Sequence, residues 1–289
     1  VMNSEYSSVL SAFTDILGAW GMQLLFFVAG ASSYFMLGKY SWKQFITRRL
    51  VRLIVPLACA MLTIIPAMGY FGYLHNVDRT ISFWQYYPKF FAFDPGDYGG
   101  YLGHLTPSHL WFILFLFVML LVALPLLVCL QGERGRRLMN RFTSFFAQPA
   151  ALFIVPILFY FFDGTPEVAD RNIASFFILL ILGFIWMSDQ RLQEVIDRQK
   201  YFLLSLAIIL GVLWSMLQGW GEQQSGFTWG ATAFDLLHDT YAWTAILALL
   251  GLGHSFLNRP SAAVQYLGPA SYPIYIIHLP IVVAIAYYV

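Results

Sequence analysis

Two arginines at helical spacing, Arg49 and Arg52, stand at the start of an apolar segment that continues to about Leu74. Residues three apart lie on one face of an α-helix. Guanidinium groups are planar and permanently charged, which suits them to recognise phosphate or carboxylate, so the pair is a candidate binding site for an anionic group. The alternative is an orientation signal that contacts lipid headgroups, and spacing alone leaves both interpretations open.

His278 is the ionisable residue that we expect deepest in the membrane. It lies ten residues beyond Gly268, about 15 Å along a helix, which places it near the bilayer midplane. Ionisable groups at that depth are expensive to bury, so His278 is a candidate catalytic residue. Tyr275 shares its helical face. The competing interpretation is a packing histidine that is hydrogen-bonded to a neighbouring carbonyl.

A second candidate catalytic group is the face formed by Asp235, His238 and Asp239, near one end of another apolar segment. A carboxylate beside an imidazole raises its basicity and fixes its tautomer, as a general base requires. We therefore take His238 and Asp235 as candidates for proton transfer. The same face could equally be an interfacial surface in contact with water.

His109 begins another apolar segment, directly before Leu110-Trp111-Phe112, and His104 lies five residues earlier. The two histidines lack a cysteine or carboxylate at helical ligand spacing, so we predict no metal site. The sequence contains no nucleophile elbow, phosphate-binding loop, dinucleotide fingerprint or zinc-protease helix. Residue spacing alone therefore does not identify a reaction.

The composition predicts the class of protein that carries these residues. Apolar residues make up 59% of the chain, charged residues only 11%, and the mean hydropathy is +0.67. Soluble domains carry roughly 25% charged residues, so we predict an all-α, polytopic transmembrane helix bundle in a lipid bilayer. The net charge of +1, without a basic tail, gives no indication of a nucleic-acid partner. Cys59 and Cys129 fall in apolar segments and read as small core residues.

Eight membrane spans can be identified from hydropathy, at about 10–37, 49–74, 109–130, 149–163, 172–188, 201–219, 232–256 and 269–289. Of the 16 Lys and Arg residues, 13 fall in alternate connections and only Arg79, Lys89 and Arg171 fall in the others. Because basic loops stay in the cytoplasm, we predict that residue 1 is extracytoplasmic and that the basic connections are cytoplasmic.

The connections differ in character. The connection 75–108 carries an aromatic stretch at 81–93 that we expect along the membrane interface, followed by a turn-rich loop at 94–100. We predict a plain cytoplasmic linker at 131–148 and a solvated helical connection at 189–200. The last apolar run ends without polar residues, so we expect 1–289 to be a single membrane domain that is cut at both ends.

Four segments resemble motifs of the membrane-bound acyltransferase-3 superfamily. They are Leu25-Phe26-Phe27-Val28-Ala29-Gly30, Arg49-x-x-Arg52 followed by Pro56, His109-Leu110-Trp111-Phe112, and Ser271-Tyr272-Pro273-Ile274-Tyr275-Ile276-Ile277-His278. Phe115 and Leu116 stand where the O-antigen-acetylating branch has a glutamate, so the chain looks more like the glucan succinyltransferase branch.

The resemblance implies a bundle of about ten helices in the bacterial inner membrane that moves an acyl group from a cytoplasmic thioester such as acyl-CoA to a carbohydrate hydroxyl. It implies that Arg49 and Arg52 help to hold the donor or shape its entrance, and we take His109, Trp111 and Tyr275 as candidate substrate-binding residues. No permanently bound cofactor is implied. The family's first helix carries a histidine usually held to be the base, and no residue before Val1 is present to supply it.

Two non-enzymatic interpretations remain beside this one. A polytopic small-molecule transporter or flippase-like bundle would show an inverted repeat with paired broken helices, and no such repeat is visible in the sequence. The chain could also serve only as a structural core. The sequence that precedes Val1 would separate these interpretations, because a helix with a basic residue and a histidine there favours the enzyme.

Overall fold

The computed structural model describes residues 7–97, 99–168, 171–221, 223, 228–259 and 261–288. Of the residues in these ranges, 84% are helical and none forms a strand, which confirms the all-α prediction. The α-helices in them are α1 (Ser8–Lys39), α2 (Trp42–Arg49), α3 (Val55–Leu62), α4 (Ile64–Asn76), α5 (Phe83–Phe90), α6 (Trp111–Gln131), α7 (Glu133–Phe146), α8 (Val155–Asp163), α9 (Ile173–Trp186), α10 (Gln190–Gly221), α11 (Trp229–Leu257) and α12 (Ala262–Tyr288).

Within the described residues, five segments are long and apolar enough to cross a membrane: Leu10–Lys39, Ser108–Gln131, Gln190–Gly221, Trp229–Leu257 and Ala262–Tyr288. Two bent pairs, α2–α4 and α7–α8, raise the number to seven. The remaining predicted span is α9, whose 14 residues rise about 21 Å, less than the ~30 Å hydrocarbon layer. All eight predicted segments are thus helical, but not all are full-length spans.

Prolines interrupt the hydrogen bonding of several apolar helices. A proline has no N–H, so it leaves the carbonyl four residues earlier without its usual partner. Side-chain donors meet three of these carbonyls, as neighbouring helices commonly do in membrane proteins. The Tyr87 hydroxyl donates to Leu62 O, which faces Pro66, at 2.9 Å. The Trp243 indole donates to Leu152 O, which faces Pro156, at 2.9 Å. The third carbonyl faces Pro280 and lies in the candidate site.

The predicted span at 49–74 is not a single straight helix. A π-turn over Leu50–Ile54 follows α2, and Pro56 lies in the first turn of α3. The chain then bends by 41° at Thr63, between α3 and α4. Thr63 donates its hydroxyl to Cys59 O (2.7 Å), which holds the helix end at this bend.

The prediction of a plain linker at 131–148 is wrong. Most of it forms α7, which buries Met139, Thr143 and Phe146 at helical spacing and exposes its arginines. Thr143 also donates a hydrogen bond to Asp189 (2.7 Å), just before α10. A side-chain hydrogen bond from Arg191 holds the pKa of the Asp189 carboxyl at about 2, so this acceptor stays charged. The connection 189–200 is helical as predicted and is continuous with α10.

The chain divides into two compact units, which we describe separately. The first consists of the described parts of Lys43–Leu121 and Pro260–Val289, in which α4 packs against both α5 and α12. The second consists of the described parts of Tyr6–Trp42 and Val122–Arg259, in which α1 packs against α9 and α10 against α11. Each unit contains some of the predicted site residues.

Close backbone contact joins α1 to α9 in the second unit. A Cβ at Gly30 would lie 1.9 Å from Leu180 O, and one at Gly183 would lie 1.9 Å from Phe27 O. Only glycine fits at both places, as in other close helix pairs of membrane proteins. The fully buried ring of Trp243 packs edge-on against Phe27 nearby, with 6.1 Å between ring centroids.

Candidate functional site

His109 is fixed at the start of α6 in the first unit. A short 3₁₀ turn, Ser108–Leu110, precedes the helix, and Ser108 takes up a positive φ of 47°, a conformation that few non-glycine residues adopt. Leu110 is fully buried and anchors the turn. The Tyr275 hydroxyl of α12 donates a short hydrogen bond to the His109 carbonyl. The 3₁₀ turn and the hydrogen bond from α12 therefore both hold this histidine in place.

The His109 ring is held by a carbonyl that a proline has freed. Its Nε2 lies 3.1 Å from Ile276 O, the oxygen that loses its helical partner because residue 280 is proline. A carbonyl oxygen only accepts, so in the neutral ring Nε2 carries the hydrogen and Nδ1 carries the lone pair. That Nδ1 is buried without a hydrogen-bond partner among the described residues. The ring is thus set to accept a proton.

His278 lies beside His109 in the structure. The ring centroids are 5.3 Å apart, with the ring planes at 86°. His278 Nδ1 lies 2.8 Å from Tyr275 O, so the neutral ring presents its lone pair at Nε2. His278 is exposed, whereas His109 is half-buried. The structure therefore brings His278, His109 and Tyr275 together.

Trp111 occupies a different position from these three residues. Its indole packs edge-on against Phe115, with ring centroids 5.5 Å apart, whereas Phe112 is the ring that faces Tyr275, at 6.3 Å. Trp111 and Phe112 therefore form an aromatic wall along the first turns of α6.

The arginine pair spans the transition from α2 to the π-turn. Arg49, the last residue of α2, is half-buried and lies over the Phe45 ring at 5.3 Å, while Arg52 is exposed. Because a π-turn holds an extra residue, the two arginines point further apart than on an α-helix. The Tyr272 hydroxyl of α12 donates to the carbonyl of Leu53, the residue after Arg52, at 3.4 Å.

The second unit holds the other predicted catalytic residues, on α11. His238 Nδ1 lies 3.2 Å from a carboxylate oxygen of Asp239, so the hydrogen-bonded carboxylate is this one, which our candidate pair left out. Asp239 is only 3% exposed, and its second oxygen has no partner among the described residues. Asp235 interacts electrostatically with both residues. The Trp214 ring covers His238 at 5.3 Å.

Two cavities open in the first unit between α12 and the helices α3 and α4. The smaller one, about 330 Å³, has a wall that includes Cys59, Thr63, Tyr272 and Ile276. The larger one, about 580 Å³, we term the α4–α12 cavity. It is lined by Met68, Phe71, Gly72, His75, Asn76, Arg79, Gly99, Gly100, Tyr101, Ser108, Leu279, Val283, Ala286 and Tyr287.

Two of the residues that line the α4–α12 cavity, Ser108 and Leu279, are the sequence neighbours of His109 and His278. The cavity therefore lies next to both histidines. Sequence reasoning placed a turn-rich loop at 94–100 but assigned no role to His75, Arg79 or Tyr101. Over the described ranges, no group of three or more His, Cys, Asp and Glu side chains could hold a metal ion.

Replacing Pro280 tests the role of the freed carbonyl. In Pro280→Ala the restored N–H competes for Ile276 O, so the His109 ring loses its fixed orientation. We expect the turnover number of the protein to fall about tenfold with an unchanged or higher unfolding midpoint. Pro156→Ala is the control, because Leu152 O also accepts from Val155 N. Equal turnover in both variants would contradict the positioning role of Ile276 O.

Comparison with known proteins gives the family. The family model described as Acyltransferase domain, of the acyltransferase-3 type, matches residues 2–289. Glucans biosynthesis protein C of Salmonella paratyphi B, Salmonella enteritidis and Salmonella typhi are each 25% identical to the chain over an alignment of 307 positions. The alignment covers 97% of this chain and 74% of each relative. No solved structure matches. The chain therefore belongs to the acyltransferase-3 family and is a multi-pass membrane acyltransferase.

Proposed function

We propose that the chain transfers an acyl group of the succinyl or acetyl type from a cytoplasmic thioester, such as acyl-CoA, to a carbohydrate hydroxyl, such as that of a periplasmic or cell-envelope glucan. Family membership supports the acyl transfer, and the name of the Salmonella relatives supports the glucan. The observation that carries the mechanism is the buried, unpartnered Nδ1 of His109, beside His278.

The reaction needs a base that removes a proton and a thioester carbonyl that is attacked. An imidazole takes the proton of the carbohydrate hydroxyl while the oxygen of that hydroxyl attacks the thioester carbonyl. The new C–O bond forms, the C–S bond breaks, and the imidazolium returns its proton to the departing thiolate. His109 Nδ1 is the proposed base, a different role from the substrate binding predicted for it from the sequence, and His278, the predicted catalytic residue, is the neighbouring imidazole. His238, with Asp239 and Asp235 beside it, is the alternative base in the second unit.

The layout of the first unit supports a donor at one end of α12 and an acceptor at the other. Tyr272 donates to the carbonyl of Leu53, the residue after Arg52, at 3.4 Å, and Tyr287 lies beside Phe71, 5.2 Å between ring centroids, at the α4–α12 cavity. These two tyrosines are about 22 Å apart along the helix, and the histidines lie between them. Arg49 and Arg52 would hold the phosphates of acyl-CoA by bidentate hydrogen bonds.

Acyl transfer is tested by incubating the purified protein in lipid nanodiscs with labelled succinyl-CoA or acetyl-CoA and a glucan. We expect a labelled ester on the glucan that alkaline hydrolysis releases, together with free CoA thiol in equal amount. CoA release by simple hydrolysis, without a glucan ester under any of these conditions, would contradict the proposed acceptor.

Topology is the second part of the proposal, with the arginine-rich connections in the cytoplasm of the bacterial inner membrane. Asn140→Cys in α7 and Gly96→Cys in the 94–100 loop are suitable probes, because both positions are exposed. Gly135 is unsuitable, because a Cβ there would lie 2.3 Å from Cys129 O. The background lacks Cys59 and Cys129, which are both exposed, so the prediction that they are core residues is wrong.

We expect a membrane-impermeant maleimide to label Gly96→Cys in intact cells and Asn140→Cys only after the cells are opened. Neither substitution removes a basic residue, so the charge pattern behind the prediction is preserved. Labelling of Asn140→Cys in intact cells would reverse the proposed orientation.

A further inference from the structure

We infer that the α4–α12 cavity is the binding site for the carbohydrate acceptor, with Tyr101 as its stacking platform; this inference rests on the proposed function. The cavity volume of about 580 Å³ lies within the range of small-molecule sites. Tyr101 lines the cavity and is 74% exposed as a whole residue, so a large aromatic residue stands at the open rim.

The loop that carries Tyr101 is rigidly held. The buried carboxylate of Asp97 accepts hydrogen bonds from the backbone N–H groups of Leu102 (3.0 Å) and His104 (3.0 Å). Asn76 of α4 donates to the Tyr101 carbonyl at 2.8 Å, and Tyr86 of α5 donates to Gly103 O at 2.5 Å. An exposed ring on an immobilised backbone binds a ligand without a large loss of conformational entropy.

Two glycines allow the loop to take this shape. Gly100 and Gly103 have φ values of 72° and 80°, in the left-handed region that favours glycine. At Gly103 a Cβ would also lie 2.6 Å from Gly69 O of α4. The loop therefore lies directly on α4, and Tyr101 is held at the cavity rim.

The wall chemistry matches a sugar better than a lipid chain. Aromatic rings at Phe71, Tyr101 and Tyr287 offer flat apolar surfaces for the C–H faces of a pyranose ring. His75 and Arg79 offer polar groups for its hydroxyls, and Arg79 has no ion-pair partner within the described part of the chain. An acyl chain offers no hydrogen-bond partner to these polar groups, which favours the sugar.

The test measures binding directly and needs no catalysis. A short soluble gluco-oligosaccharide is titrated into the purified protein in nanodiscs by calorimetry. We expect Tyr101→Ala and Arg79→Gln each to weaken binding about tenfold, and Tyr101→Phe to retain it. The matched control is Trp84→Ala on α5, an aromatic residue that is 79% exposed and does not line the cavity.

Several results would overturn the inference. They are an absence of oligosaccharide binding to the unaltered protein, an unchanged Kd in Tyr101→Ala, or an equal loss in Trp84→Ala. Displacement of a fluorescent fatty-acyl probe by lipid but not by oligosaccharide, sensitive to Tyr101→Ala, would identify a lipid site instead. Normal acyl transfer with an unchanged acceptor KM in Tyr101→Ala would refute the inference alone, whereas Tyr101-dependent binding without transfer would refute the proposed function alone.

Discussion

His109→Gln is expected to lower kcat for acyl transfer by about 10² to 10⁴, the usual contribution of a general base. The glutamine amide can still donate to Ile276 O and thus preserve the contact at 3.1 Å, but it offers no basic lone pair in place of Nδ1. The unfolding midpoint should therefore change little. Steady-state kinetics at saturating donor and thermal unfolding of the same preparation measure the two effects separately.

Two other histidines serve as comparisons. His278→Gln should reduce kcat less, about tenfold, because His278 is exposed and acts beside the proposed base rather than as the base. His254→Gln, at an exposed residue that contacts Asp197 at 2.8 Å, should have no effect on kcat. Full activity in His109→Gln together with a large loss in His238→Gln would move the base to the second unit.

Arg52→Lys is expected to raise KM for acyl-CoA by about 10- to 100-fold, which corresponds to the loss of one charged hydrogen bond of roughly 1.5–3 kcal/mol. Lysine keeps the positive charge that orients the loop but lacks the planar fork that binds phosphate bidentately. The acceptor KM should stay unchanged. Initial rates over a range of donor concentrations provide this measurement.

Arg137→Lys on α7 is the matched control, since it makes the same exchange at an exposed arginine outside the proposed donor site. Membrane insertion should be normal in both variants. An unchanged donor KM in Arg52→Lys would leave Arg49 and Arg52 as topology signals only, which is the alternative interpretation of their spacing.

The helices followed from the sequence because their apolar stretches are long. The predictions 10–37 and 232–256 agree closely with Ser8–Lys39 and Trp229–Leu257. The sequence analysis did not predict helix α7, because its many arginines made the segment resemble a polar connection. The helical spacing of Met139, Thr143 and Phe146 was the signal that could have identified it. The π-turn before Pro56 depends on how a proline is accommodated locally, which hydropathy does not report.

The candidate site could be predicted only in part. The residue types were visible, but the contact between His109 and Ile276 joins positions 167 residues apart, and no local pattern indicates it. Pro280 gave one indication from the sequence, because a proline has no N–H to donate to the carbonyl four residues earlier, here Ile276 O. The cavity was missed because a loop and two helices build it together, and its rim residues have no motif.

Acyl transfer across a sealed membrane tests the proposed mechanism most directly. The protein is reconstituted in vesicles with labelled acyl-CoA on the side of the arginine-rich loops and glucan only on the other side. We predict labelled ester on the enclosed glucan, with none formed by vesicles that contain His109→Gln. Ester that forms only when donor and acceptor share one compartment would contradict transfer across the membrane. Ester that forms equally with His109→Gln would contradict the role of His109 as the base.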